Sequence, residues 1–262
     1  MRLYVEVARR SFARVATYRQ ATIAGVFTNT VFGFLLAYVL LAVYRERDSV
    51  GGFDATDAVT FTFVVQGLLM MLGIFGEWDL AERIMSGDIA VDFQRPYDQQ
   101  LWWLAVRYGK AGYHALFRGI PPFVAGALVF DLRLPPPGDA LAFTASVIVA
   151  VALTFAWSYL LQLTAFWLLD VRGPVQLGWL VAHFLGGVYV PIVFFPDWLE
   201  TTSRLLPFAS MVQVPAEIWL GKHHGLDLLA VVAVQLAWTA TLGLAGRAVM
   251  GRAERRVVVQ GG

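Results

Sequence analysis

The chain has 262 residues, 58% of them hydrophobic and 15% charged, with a mean hydropathy of +0.62. Soluble domains carry about 25% charged residues, so a soluble globular or a disordered chain is excluded. The absence of cysteine removes a disulfide framework, a thiol nucleophile and a cysteine-based zinc site, and a net charge of +1 removes nucleic-acid binding through bulk basicity. What remains is an all-α integral membrane protein, read for apolar stretches of about 20 residues.

Residues 1–19 form an amphipathic helix in which Leu3, Val7 and Phe12 share an apolar arc opposite Arg2, Arg9 and Arg10. A basic amphipathic helix ahead of a first span is predicted to lie in the membrane interface as an elbow. Residues 20–44 and 58–76 are uncharged and predict two spans. Residues 77–110 are too long for a simple hairpin connection. Helical spacing continues to Met85, Gly87 is placed to end that helix, and Arg95-Pro96 imposes an extended turn. Asp98 is then placed to cap the helix leading into the third span, 111–130.

That helix carries Arg107, Lys110, His114 and Arg118 on one face. The stripe reads either as an anion-attracting wall or as a mainly aqueous helix end from which Arg118 snorkels. Pro121-Pro122 should bend the helix and free the carbonyls near Phe117 and Arg118. Residues 140–169 predict a long fourth span and 173–196 a fifth, in which Gly186-Gly187 allows close packing and Pro191 and Pro196 break the outer end. Residues 197–225 hold two short Pro-bounded pieces, with Trp198 on the first and Pro207-Phe208 between them. They form either a re-entrant outer hairpin or a lid flat on the outer leaflet. The last span is 228–249, uncharged as far as Gly246.

Six spans put both termini on one side. With the termini inside, 15 of the 20 Lys and Arg residues fall on the inner side, so both termini are predicted to be cytoplasmic. One membrane domain, 1–262, accounts for the chain. No phosphate-binding loop, HExxH or GxSxG is present. No catalytic residue, metal site or cofactor is therefore assigned to this chain, and His223-His224 reads as a solvated loop. The polar residues available to line a pathway are Gln66, His114, Arg118 and His183. Together with Gln162 they are too scattered for an intramembrane enzyme, and the acidic residues sit in loops, which argues against an ion-coupled carrier.

The order of elements resembles the permease subunits of type-2 (type V fold) bacterial ABC exporters: elbow, two spans, cytoplasmic loop, three spans, outer re-entrant pair, final span. Two runs carry the likeness. Glu82-Arg83-Ile84-Met85-Ser86-Gly87-Asp88-Ile89 followed by Arg95-Pro96 is similar to a loop pattern of such permeases. Pro191 to Pro196-Asp197-Trp198, followed by Leu206-Pro207-Phe208, is similar to their stretch after the fifth span. The resemblance implies a second permease, identical or homologous, and two copies of an ABC ATPase that carry the ATP and Mg²⁺, in a bacterial cytoplasmic membrane. It further implies coupling through Glu82, Arg83, Gly87, Asp88, Arg95 and Pro96, and an outer gate at Pro191, Pro196, Trp198, Pro207 and Phe208. Membrane lipids are expected as neighbours and nucleic acid is not.

Overall fold

The computed structural model describes residues 1–74, 76–168 and 170–260, with side chains to 255. The described residues are helical throughout, apart from turns and one isolated bridge between Val50 and Phe53. Helix α1 (Arg2–Ala16) packs along α6 (Gln99–His114). The two backbones approach closely because Gly109 has no side chain; a Cβ there would lie 2.1 Å from the Ala8 carbonyl oxygen. The Ser11 hydroxyl fixes the crossing by donating to the Val106 carbonyl at 2.9 Å.

Helix α2 (Arg19–Val43) lies against α3 (Ala55–Met71), whose side chains are buried from Asp57 to Leu69 except at Gly67. A reciprocal capping box starts α3, since Asp57 N–H donates to the Asp54 carboxylate and Asp54 N–H to that of Asp57. The predicted second span runs to residue 76, but the helix stops at Met71. Gly73 and Gly76 adopt φ of +59° and +81°, which break the hydrogen-bond ladder. Two short helices follow, α4 (Asp79–Ser86) and α5 (Ile89–Phe93), separated by Gly87 at φ +84°. This is the stop expected at Gly87. Asp98 caps α6 as expected, its carboxylate accepting from Leu101 N–H at 2.8 Å.

Helix α6 continues through a π-helical turn (Ala115–Gly119) into α7 (Ile120–Ala127). Pro121 and Pro122 have no N–H for the carbonyls one turn back, and the ladder widens there instead of breaking. Helix α8 (Pro137–Leu163), extended by a 3₁₀ turn to Phe166, packs against the last helix, α12 (Gly225–Gln260). The predicted end of the fourth span, Leu169, lies outside the described residues, as does Phe75 in the second.

The fifth predicted span, 173–196, holds a helix shorter than the span. Helix α9 covers only Arg172–Leu185, because Gly187 turns the chain at φ +79° before either proline is reached. Gly186 sits against the Phe208 carbonyl, where a Cβ would come within 3.0 Å. A 3₁₀ turn (Ile192–Phe194), α10 (Asp197–Leu205) and α11 (Gln213–Trp219) complete this region. Among the described residues, three helices are long and apolar enough to cross a membrane: Arg19–Val43, Pro137–Phe166 and Gly225–Arg255. The main core runs from α3 across α8 to α11, and Leu72, Leu153, Leu163 and Ala216 are fully enclosed.

Candidate functional site

The chain gathers its polar chemistry at the two ends of the bundle. At one end α4 and α5 form a hairpin around Gly87. The Arg83 Nε donates to the Asp92 carboxylate at 2.6 Å, and Arg95 lies 3.8 Å from the same carboxylate. Asp92 is buried, and Gln99 donates to its carbonyl at 2.7 Å, which ties the hairpin to the start of α6. Glu82, Gly87, Asp88, Arg95 and Pro96 are exposed around this scaffold. Five of the six expected coupling residues therefore face outward. The sixth, Arg83, is half-buried and internal to the hairpin. Asp92 carried no sequence signal, because its partner lies nine residues away on a separate short helix.

Beside the hairpin, α1, α4 and α6 enclose an open groove of about 640 Å³. Arg10 and Arg14 line one wall, Asp79, Glu82, Arg83 and Asp88 another, and Trp102 and Trp103 a third. Below it lies a tighter charge cluster. Lys110 Nζ sits 2.8 Å from Asp79 and 3.1 Å from Glu77, and Arg107 lies 3.3 Å from Glu77 and donates to the Leu72 carbonyl at 3.1 Å. Arg14 reaches Asp79 at 3.6 Å. Burial pushes the Asp79 carboxyl up, but the hydrogen bond and charge of Lys110, with Arg14 and Arg107 behind it, leave it below its ordinary value. Gly73 is what admits Arg107, since a Cβ there would fall 1.4 Å from the guanidinium.

The four residues of the one-face stripe have different surroundings. Arg107 and Lys110 are consumed by Glu77 and Asp79. His114 lines a cavity of about 80 Å³ with them, and Arg118 folds over Gly25 on α2. His183 is elsewhere, its Nε2 at 2.7 Å from the Ile74 carbonyl, in a cleft along α9 shared with Trp78 and Trp179. Gln66 is buried on α3, and Asn29 of α2 donates to its carbonyl. Of the four residues proposed to line a pathway, His114 and His183 thus line different cavities.

At the opposite end, ion pairs hold α10, α11 and the start of α12 onto α3. Glu217 is buried and accepts from Arg204 at 2.9 Å, Gln213 at 3.0 Å and the His223 ring at 2.9 Å. The other nitrogen of His223 lies 2.6 Å from Asp227. His223 is thus not the solvated residue expected; it is clasped between two carboxylates. Burial pushes Glu217 up, yet the hydrogen bonds from His223 and Arg204 prevail and bring it down to about 2. Burial pushes His223 down, yet its bonds to Glu217 and Asp227 prevail and raise it. Asp57 is also buried and joins Arg133 at 2.7 Å and Lys222 at 2.6 Å, while Asp54 pairs with Arg133. These partners are up to 165 positions apart, so no local pattern announced them.

Of the residues expected at the outer gate, Pro191 precedes the 3₁₀ turn and Pro196 precedes α10. Trp198 is exposed, and Phe208 is buried edge-on against Trp157 at 5.1 Å. Pro207 lies at the turn between α10 and α11 and is buried. Among the described residues, no group of three or more His, Asp or Glu side chains is placed to hold a metal ion.

No curated protein and no solved structure matches the chain. The sequence profile described as "ABC-2 family transporter protein" matches residues 27–261, which runs from within α2 through α12. The chain belongs to that family and is a membrane permease of an ABC transporter.

Proposed function

We propose that this chain is the membrane-spanning half of an ATP-driven exporter in a bacterial cytoplasmic membrane. In this reading six spans (20–44, 58–76, 111–130, 140–169, 173–196 and 228–249) cross the bilayer as a single permease domain, with both termini cytoplasmic. The positive-inside distribution supports that orientation. Helix α1 serves as the elbow, and 197–225 forms a re-entrant outer hairpin that acts as the gate. A second permease completes the pathway. Two copies of a separate ATPase bind ATP and Mg²⁺ and act on 77–96.

The observation that carries the reading is the α4–α5 hairpin. A connecting loop with no further task has no need of the ion pair between Arg83 and buried Asp92 to hold a shape. A rigid hairpin showing Glu82, Asp88 and Arg95 in both charge signs suits docking on a soluble partner. The buried carboxylates Asp57 and Glu217 are both neutralised by cations, which leaves neither free as a proton carrier for a gradient-driven mechanism.

The test is co-purification of the permease with candidate ATPase subunits from the same membrane. Replacing Asp88 and Arg95 together with Ala should lower the recovered ATPase at least tenfold, since each lost interfacial charge contact is worth about 1–2 kcal/mol. Unchanged recovery and unchanged ATP hydrolysis would refute docking at this hairpin.

A further inference from the structure

Building on the coupling reading above, we infer that α4 is clamped sideways to α6 and α8, and that a displacement of α4 is delivered to those two helices around a pivot at the end of α3. The clamp has two jaws. On one side the start of α4 lacks a cap from its own sequence, because Trp78 occupies the cap position and offers no side-chain acceptor. The acceptor comes from α8: the Gln162 Oε1 accepts from Leu80 N–H at 3.2 Å and Ala81 N–H at 3.3 Å. Gln162 is buried, and its Nε2 donates to the Ser158 hydroxyl at 3.2 Å, which fixes the direction of the amide. A helix end needs its first N–H groups satisfied, so α4 cannot leave α8 without losing them.

On the other side, Lys110 and Arg107 of α6 hold Asp79 and Glu77. The covalent path from α3 is weaker. Between Met71 and Asp79 the backbone turns at Gly73 and Gly76, both at positive φ, and the described residues of this stretch form no helix. Arg107 also donates to the Leu72 carbonyl, which makes the end of α3 the fulcrum of the clamp. Gln162 is therefore a positioning residue, acting through α4, although it lies 82 positions from Leu80 in the chain.

Two measurements test this, and the first needs no ATPase. In the full-length permease in nanodiscs, amide exchange at Leu80 and Ala81 should accelerate about tenfold in Gln162→Met, the effect of stranding buried donors. It should return to the wild-type rate in Gln162→Glu, which restores the acceptor oxygens. Unchanged exchange in Gln162→Met would overturn the clamp. The second uses the cysteine-free chain with spin labels at Ser86 and Ile148, or at Ser86 and Phe27, bound to its ATPase with and without ADP–vanadate. The Ser86–Ile148 distance should stay constant while the Ser86–Phe27 distance shifts, and Gln162→Met should release the first pair. A Ser86–Ile148 shift equal to the other in the unmutated background would overturn the inference. If the ATPase binds and neither pair moves, the coupling reading is what fails, and amide exchange still decides the clamp.

Discussion

At the scale of single residues, the structure turns on a few charged side chains that are buried and matched. Arg107 is enclosed only because Gly73 leaves room for its guanidinium and Glu77 offers a counter-charge. Removing one member of such a pair strands the other in low dielectric. The Glu217–His223–Asp227 array makes the same point with a pH dependence. Glu217 titrates at about 2 in the fold against an ordinary 4.5, so its contribution is complete above 4.5 and is lost as pH falls towards 2. His223 is raised above its ordinary 6.5, so its contribution is complete below 6.5 and is lost as pH rises through the raised value. The purified permease should thus melt at its highest temperature between pH 4.5 and 6.5. Replacing His223 with Gln should flatten the alkaline decline; parallel melting profiles for the two proteins from pH 6 to 9 would show that the array does not stabilise the packing of α10 and α11.

At the scale of elements, the governing feature is close approach between helices that have little else to hold them. Helix α1 is short and amphipathic, and isolated helices of about 15 residues are marginal in water. Its place comes from α6, through Gly109 under the Ala8 carbonyl, the Ser11 hydrogen bond and the edge-on contact of Phe12 with Tyr113 at 5.5 Å. Gly109→Val should therefore separate the pair at a cost of about 1–3 kcal/mol, the range for overpacking a tight contact. A cysteine at the buried position Val7 reports this directly. Maleimide labelling should be slow in the parent and about tenfold faster with Gly109→Val. Equal labelling rates would mean that α1 is held by something other than this crossing.

At the scale of the whole molecule, most of the ion pairs are gathered at two ends of the bundle. One end is an exposed hairpin beside an open groove, and the other is a closed ion-paired cap. A partner can dock on the first without disturbing the second. The proposed orientation predicts that single cysteines at Arg252 and Ser86 react with an impermeant maleimide only from the cytoplasmic side of sealed vesicles. A cysteine at Leu226 should react only from the outside. Reaction of Leu226 and Arg252 from the same side would exclude the six-span topology.

The apolar blocks, the stop at Gly87 and the cap at Asp98 were legible in the sequence because each depends on length, hydropathy or local backbone chemistry. The family likeness was legible for a related reason, since it lies in the order of those blocks. The early end of α9 was not, because glycines at 186 and 187 allow either a packed helix or a turn, and the turn at Gly187 is set against Gln213, 26 positions on in the chain. Nor were the pairings of Arg83 with Asp92, Lys110 with Asp79, Asp57 with Lys222, or Gln162 with the start of α4. A charge in a sequence records only that a partner is needed when it is buried. The sequence by itself determined that this chain is a helical membrane protein with nearly all its charges outside the predicted spans, because membrane length and hydropathy are local properties. Only the tertiary structure decided which charges meet, because Coulomb and hydrogen-bond energies depend on distances that the fold sets between residues far apart in the chain.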